Sequence, residues 1–208
     1  MRPTVLIPSC KPYHELMLMV EAVKSVDKEP FDYCPTGYKT SAAVNRNIAI
    51  EQAKSDIVIM MDDDIGGFYP NWQKDLVKPL LDDRNIRMVS ARLITPEGAN
   101  SPMMFSKYST AEELEEVKPA LLSACIAFRT VDVKGLFFDM NFIGSGFEDT
   151  DFCFQLGDRF PSGLFVINNK CRMIHYHEMK AQSENYNFNR DWFMKKWGGD
   201  KRLAGVAF

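Results

Sequence analysis

The feature that most constrains this fold is an alternation of short apolar runs with helical segments near the start of the chain. TVLIPS and DIVIMM have the length and apolar character of strands buried on both faces. Between them, TSAAVNRNIAIEQAK predicts one helix, and YHELMLMVEAVKSV predicts another with apolar residues at helical spacing: Leu16, Met19, Val20 and Val23. This alternation predicts an α/β fold with a mostly parallel central sheet flanked by helices.

The remaining segments predict weaker or less regular elements. PFDYCPTGY is interrupted by proline and glycine, so we expect at most a stub of strand there. The helix that follows is expected to bury Ala43, Ile48 and Ala53. Later in the chain we expect strands in IRMVSARLI, LLSACIAFRT, GLFVIN and KCRMIHYH, and helices in FEDTDFCFQL and NYNFNRDWFMKKW. The acidic run EELEE is expected to be a solvated helix face.

Composition excludes several classes of protein. Hydrophobic residues make up 46% of the 208 residues, which allows a substantial core and argues against disorder. The net charge of −3 argues against general nucleic-acid binding. Five widely spaced cysteines without a C-x-x-C pair indicate reduced core thiols rather than a zinc site. No apolar run is long enough for a signal peptide or a membrane span, so a cytoplasmic protein is expected, with peripheral membrane contact left open.

Three consecutive acids, Asp62, Asp63 and Asp64, follow DIVIMM directly. In open α/β sheets, ligands bind beyond the carboxyl ends of the strands, which is where these acids are expected. Clustered carboxylates favour Mg²⁺ or Mn²⁺, and Asp62 and Asp64 would share one face of an extended chain. The alternative is a solvated turn, since Gly66 and Gly67 follow.

A second acid cluster, Glu148, Asp149 and Asp151, follows a Gly-Ser-Gly segment at the start of a predicted helix. Acids in a first turn can simply complement the helix dipole. A carboxylate placed near a reacting hydroxyl can also act as a general base.

Two further groups of residues are candidates for a site. In MIHYH, His175 and His177 would share one face of a strand, a spacing suited to metal binding or to pairing with a carboxylate. The last helix and its extension carry cations that could meet phosphates or simply form a solvated face: Arg190, Lys195, Lys196, Lys201 and Arg202.

Taken together and in order, these stretches resemble the family 2-like glycosyltransferases of the GT-A fold. TVLIPSC resembles the opening strand, and AVNRNIAIEQAKSDIVIMMDDD resembles the stretch that ends in the D-x-D motif. LLSACIAFRTVDVKGLFFDMNFIGSGFEDTDFCFQL resembles the acceptor-side segment ending in E-D-x-D, and HYHE and FMKKWG also fit. The resemblance implies a single nucleotide-diphospho-sugar transferase-like domain over residues 1–208. Residues 1–94 would bind the nucleotide sugar, and residues 95–208 would face the acceptor.

The resemblance also implies a reaction and its residues. A sugar would pass from a nucleotide-diphosphate sugar, expected to be a UDP-sugar, to an acceptor hydroxyl with inversion, in the presence of Mn²⁺ or Mg²⁺. Asp149 matches the catalytic base, and Glu148 would help to hold the acceptor. The resemblance places Pro8, Arg46, Asp62 and Asp63 on the donor side. It places Asp64, Asp62 and His177 at the metal, with His175 as the second choice of histidine.

Two departures from the family pattern leave an alternative open. The acid-rich turn expected after the second strand is missing from PFDYCPTGY, and Gln155 stands where the family often has arginine. A catalytically degenerate GT-A-fold protein that binds carbohydrate or nucleotide is therefore the alternative. A nucleotidyltransferase is disfavoured because IPSCKPYHE lacks glycine, and an aspartate-dependent phosphohydrolase because DDDIGGFYP lacks the expected hydroxyl residue.

Overall fold

The structure, a computed structural model, describes residues 2–26, 32–37 (backbone), 41–101, 113–117, 121, 123–176 and 185–203. Its strands are β1 (Thr4–Ser9), β2 (Asp32–Gly37), β3 (Ile57–Met61), β4 (Ile65–Gly66), β5 (Ile86–Ile94), β6 (Leu114–Glu116), β7 (Cys125–Arg129) and β8 (Leu164–His175). Its helices are α1 (Tyr13–Val26), α2 (Ala42–Glu51), α3 (Trp72–Asp82), α4 (Thr130–Val133), α5 (Glu148–Arg159) and α6 (Tyr186–Trp197), with a 3-10 turn at Lys201–Leu203.

The described strands form one sheet in the order β2-β1-β3-β7-β5-β8-β4, and β6 pairs with β8. Strand β1 pairs in parallel with β2 and β3, and β5 pairs in parallel with β8. Since β7 is antiparallel to both β3 and β5, these five strands run in one direction, while β4, β6 and β7 run in the other. The prediction of an α/β fold with a mostly parallel sheet flanked by helices is confirmed.

The first βαβ segment follows its apolar pattern closely. Strand β1 and helix α1 have the predicted bounds, and β3 begins one residue later than predicted. Helix α1 buries Leu16, Val20 and Val23, while Met19 is half-buried. Strand β2 has six residues rather than a stub. It is the terminal strand of the described sheet, where a proline such as Pro35 is tolerated because one edge needs no ladder hydrogen bond.

Helix α2 buries a different set of residues from the predicted one. Ala43 is buried as expected, but Ile48 is half-buried and the helix ends before Ala53. In their place the helix buries two polar residues, Asn45 and Arg46. A buried arginine needs partners, so this face of α2 packs against something other than an apolar core.

Two predictions for the second half of the chain are wrong. Leu114–Glu116 of the acidic run form strand β6, antiparallel to β8, rather than a helix, because their backbone pairs with the exposed edge of that strand. The two strands expected in GLFVIN and KCRMIHYH are one strand, β8. Its pairing with β5 has two irregularities, one between Ile86 and Met88 and a larger one between Ala91 and Arg92. At the larger one the partner changes from Asn168 to Arg172, which takes up the intervening residues of β8.

Several observed elements were not predicted, and two of them are α3 and β4. Helix α3 buries Trp72, Leu76 and Leu80 against the sheet. Strand β4 has two residues and pairs with the end of β8, with Ile65 opposite His175. A separate aromatic cluster of Phe142, Phe154 and Phe193 packs α6 onto α5, which fits the predicted aromatic-rich final helix.

The cysteines with described side chains are free thiols. Cys125, Cys153 and Cys171 are buried, and burial raises the pKa of Cys153 and of Cys171 to about 12. Cys10 is exposed. Within the described part of the chain, no helix combines the length and the apolar character needed to cross a membrane.

Candidate functional site

The three aspartates after β3 lie in a turn that is held at both ends by the sheet. The backbone N–H of Asp62 donates to the carbonyl of Ala124, next to β7, at 2.8 Å. The carbonyl of Asp64 accepts from the N–H of Tyr176, at the end of β8, at 2.9 Å. The turn is therefore anchored to two strands from the second half of the chain, and its three side chains face three different surroundings.

Asp63 faces the end of β1. Its carboxylate accepts a hydrogen bond from Ser9 and forms an ion pair of 2.9 Å with Lys11, whose Nζ also donates to the Asp63 carbonyl. Strand β1 pairs with β3 only through Thr4–Leu6. Pro8 is half-buried in the last part of β1, which pairs with β2 but not with β3, and it has no N–H to extend the ladder to β3. Asp63 thus bridges the gap between the diverging strands and fixes the loop after β1.

Asp64 faces the end of β8. Its Oδ1 lies 3.4 Å from Nε2 of His175, and the imidazole is buried while the carboxylate is 28% exposed. A carboxylate oxygen is a ligand that suits Mn²⁺, and a neutral imidazole nitrogen is a common metal ligand in proteins. Among the described residues no group of three or more metal-binding side chains occurs, and His177 lies outside them. Among the described residues, the side chains that could hold a divalent cation at this place are thus Asp64 and the second-choice histidine, His175.

The second acid cluster begins α5. The residue before it, Phe147, has φ of +70°, a left-handed conformation that is unusual for a residue with a side chain. Glycines at 144 and 146 also have positive φ, so this turn is built from backbone conformations that set the entry angle of α5. Asp149 is half-buried, and its carboxylate accepts from the N–H groups of Thr150 at 2.8 Å and Ser123 at 3.3 Å.

Arg46 joins the two acid clusters. Its side chain is 7% exposed, with Nη2 donating to Asp62 Oδ1 at 3.1 Å and Nη1 donating to Glu148 Oε1. The other oxygen of Glu148, which is buried, accepts from the N–H of Gly146. The aromatic ring of Phe138 lies beside the guanidinium, 5.6 Å from Cζ to the ring centroid. The donor-side and acceptor-side acids expected from the sequence are therefore in direct contact through one cation.

The charges of this centre perturb one another. Burial acts to lower the pKa of Arg46, but Asp62, Glu148 and Asp149 outweigh it and raise that pKa above its ordinary value. Burial also raises the pKa values of Asp62 and Glu148, against the opposing effect of Arg46. Arg46 is a permanent cation shared by two carboxylates that are costly to keep charged in this location.

Asp151 is separate from this centre. It is fully buried, and its carboxylate accepts from Trp197 Nε1 at 2.7 Å and Gln155 Nε2 at 2.7 Å and pairs with Lys196 Nζ at 2.6 Å. Gln155 also donates to the carbonyl of Phe137. These residues fasten α6 to α5.

The basic residues near the end of the chain mostly have acidic partners. Lys196 also pairs with Asp139 at 2.9 Å, Arg190 pairs with Asp191, and Arg202 pairs with Asp158 and Asp200. Their arrangement is that of a charged helix face held by local ion pairs.

Sequence reasoning missed two links in the site. The pairing of Arg46 with Glu148 spans 102 positions of the chain and has no local signal. The approach of Asp64 to His175 depends on the two-residue strand β4. One signal was available in the sequence: Arg46 is placed at helical spacing from Ala43 and Ala49, on the apolar face of the predicted helix, where an arginine indicates an acidic partner.

Comparison with known proteins identifies the fold. No family model and no curated protein matches the chain, whereas solved structures match over nearly all of it. A GalNAc-T7 structure with UDP, GalNAc and Mn²⁺ matches with a TM-score of 0.68 and 14% identity, covering 97% of this chain and 49% of that one. TarS from S. aureus in complex with UDP-GlcNAc matches with a TM-score of 0.66 and 13% identity, covering 94% and 66%.

A third structure covers more of the matched protein. Glucosyl-3-phosphoglycerate synthase from Mycobacterium tuberculosis, with Mn²⁺, UDP-glucose and phosphoglyceric acid, matches with a TM-score of 0.63 and 13% identity, covering 99% of this chain and 81% of that one. The chain thus has the fold of the GT-A glycosyltransferases. It spans about half the length of the GalNAc-T7 structure.

Proposed function

We propose that this protein is a metal-dependent glycosyltransferase that moves a sugar from a UDP-sugar to an acceptor hydroxyl with inversion. The observation that carries the proposal is the presence of two acidic sites beyond the strand ends of a GT-A fold, Asp64 with His175 and Asp149 at the start of α5. Solved proteins of the same fold contain UDP or a UDP-sugar, in two cases with Mn²⁺.

On the donor side, Asp64 and His175 would hold the divalent cation. When bound, the cation would neutralise charge on the leaving diphosphate. Asp62, at 29% exposure, would contact the nucleotide sugar or its metal while remaining held by Arg46. Asp63 and Pro8 would act less directly, by fixing the loop after β1. His177 would complete the metal site.

On the acceptor side, Asp149 would take the proton of the attacking hydroxyl. An alcohol is too weak an acid to attack unaided, so the reaction needs a base that receives the proton as the new bond forms. Attack from the face opposite the leaving diphosphate inverts the anomeric carbon. Both oxygens of Glu148 are engaged by Arg46 and Gly146, which favours a positioning role over contact with the acceptor.

The first test is the thermal stability of the wild-type protein with UDP, GDP, CDP and dTDP, each with and without Mn²⁺. A ligand that binds the folded state alone stabilises it according to its concentration relative to Kd. We expect UDP to raise Tm when Mn²⁺ is present. If no nucleotide changes Tm under any metal condition, the donor site does not exist.

The alternative, a catalytically degenerate binding protein of the same fold, requires a separate test. It predicts that UDP and Mn²⁺ bind but that UDP-sugars are not consumed. Release of UDP from UDP-glucose or UDP-GlcNAc, followed in wild type and in Asp149→Asn, separates the two functions. Turnover that depends on Asp149 supports the enzyme, and binding without Asp149-dependent turnover supports the degenerate protein.

A further inference from the structure

Arg46 lies where three separate parts of the chain meet. It projects from α2, Asp62 follows β3, and Glu148 opens α5. Each terminal nitrogen of its guanidinium serves a different carboxylate, Nη2 for Asp62 and Nη1 for Glu148. A planar guanidinium can bridge two acids in this way, whereas a lysine ammonium acts as a single point charge.

Glu148 is fixed from both sides. One oxygen accepts from Arg46 and the other from the N–H of Gly146, in the positive-φ turn that leads into α5. Asp149 is the next residue in the same first turn. A change in the contact between Arg46 and Glu148 therefore acts directly on the turn that carries the proposed base.

We propose that Arg46 is a positioning residue that couples occupancy of the donor site at Asp62 to the placement of Asp149 through Glu148. The inference rests on the proposed function and deepens it. Arg46 divides its hydrogen bonds between the two acids, and donor binding draws Asp62 towards the nucleotide and its cation. Arg46 then binds Glu148 more firmly and holds the first turn of α5 in place when a donor is present.

Coupling of this kind is reciprocal, so Glu148 must influence donor binding although it lies on the other acid cluster. When Glu148 is made neutral, Asp62 is the one of these two acids that still attracts Arg46. Arg46 then holds Asp62 more tightly, so Asp62 is less available to the nucleotide and nucleotide binding weakens. A direct effect of charge has the opposite sign, because loss of a negative charge near an anionic ligand strengthens its binding. The sign of the change therefore distinguishes coupling through Arg46 from a simple field effect.

The experiment is calorimetric titration of UDP in the presence of Mn²⁺ into the full chain, for wild type, Glu148→Gln, Arg46→Lys and the double variant. We expect Glu148→Gln to weaken UDP binding by about fivefold. In the Arg46→Lys background the same substitution should change the affinity by less than about twofold, because the bridge is already lost. Asp158→Asn, which removes a charge from the far end of α5, is the matched control and should leave the affinity unchanged.

Three outcomes contradict the coupling. UDP affinity could be unchanged in Glu148→Gln, it could increase, or it could fall equally with and without Arg46. Failure of wild type to bind UDP would contradict the proposed function instead. The link between Asp62 and Glu148 through Arg46 is then measured by urea unfolding of Asp62→Asn, Glu148→Gln and the double variant. Strictly additive losses in the free energy of unfolding would show that Arg46 does not link the two acids.

Discussion

Two centres in this molecule have the same arrangement of charges and different surroundings. In each, one cation lies between two carboxylates: Arg46 between Asp62 and Glu148, and Lys196 between Asp139 and Asp151. Asp151 is fully buried and is also bonded by tryptophan and glutamine donors. Asp62 is 29% exposed.

The difference between the centres teaches how to separate structure from function in a charged cluster. The Lys196 centre satisfies its acids with donors from α5, from α6 and from Asn141 in the loop before α5. Its effect is to fasten α6 to α5 and to that loop. The Arg46 centre joins the end of β3 to the start of α5 and lies beside Asp64 and Asp149. Substitutions at the first centre should therefore affect stability, and those around the second should affect binding and turnover.

The largest expected effect comes from the proposed base. Asp149→Asn should lower the rate of UDP-sugar turnover by about 10²–10⁴-fold, because the acceptor hydroxyl loses its proton acceptor. UDP binding and the urea unfolding midpoint should remain close to those of wild type. Turnover that persists at the wild-type rate would remove Asp149 from the mechanism.

The next largest effect is expected from the substitution Asp64→Asn. With UDP and Mn²⁺ at about 100 times Kd, wild type should gain roughly 5–10 °C in Tm. Asp64→Asn should lose that gain, since an amide is a much weaker ligand for a hard cation than a carboxylate. Asp82→Asn, which removes an exposed acid paired with Lys78, is the control and should keep the full gain. An Asp64→Asn protein that is stabilised as much as wild type would exclude Asp64 from the metal site.

At the Lys196 centre the expected effect is on stability. Lys196→Met leaves Asp139 and Asp151 without their shared cation and should lower the free energy of unfolding by about 3 kcal/mol. Urea unfolding provides the measurement. UDP affinity of the folded fraction should not change, and a large loss of UDP affinity with little loss of stability would reverse the assignment of the two centres.

The smallest effect is a pH dependence that originates at Asp139. Burial acts to raise the pKa of Asp139, but hydrogen bonds from Trp192, Asn141 and Lys196 outweigh it and hold that pKa well below its ordinary value. A carboxylate with a lowered pKa stabilises the fold above its unfolded pKa of about 3.9, and this contribution is lost as the pH falls below that value.

Urea unfolding midpoints at pH 6 and pH 3 check this sign. We expect wild type to lose more stability than Asp139→Asn over that interval, because the variant has no carboxyl group to protonate at this position. Equal losses in the two proteins would show that Asp139 is not a source of the acid sensitivity.

The regular elements were predictable wherever the apolar pattern was strong. Strands β1, β3 and β5 and helices α1, α5 and α6 follow from their runs and periodicities. Helix α3 was missed although Trp72, Leu76 and Leu80 repeat at a four-residue spacing, a signal available in the sequence. The EELEE run was wrongly predicted because charge favours solvent exposure without choosing between helix and strand, and pairing with β8 made that choice.

The sequence by itself determined the kind of fold and the identity of the acids, because strand and helix periodicity and the placement of carboxylates after a buried strand are local properties. Only the tertiary structure decided which acids act together. Asp62, Asp63 and Asp64 are adjacent in the chain, yet they contact Arg46, Ser9 and His175 respectively. Partners that belong to other elements of the fold leave no periodic trace in the sequence, since their contact depends on the order of strands in the sheet and on the backbone turn that opens α5.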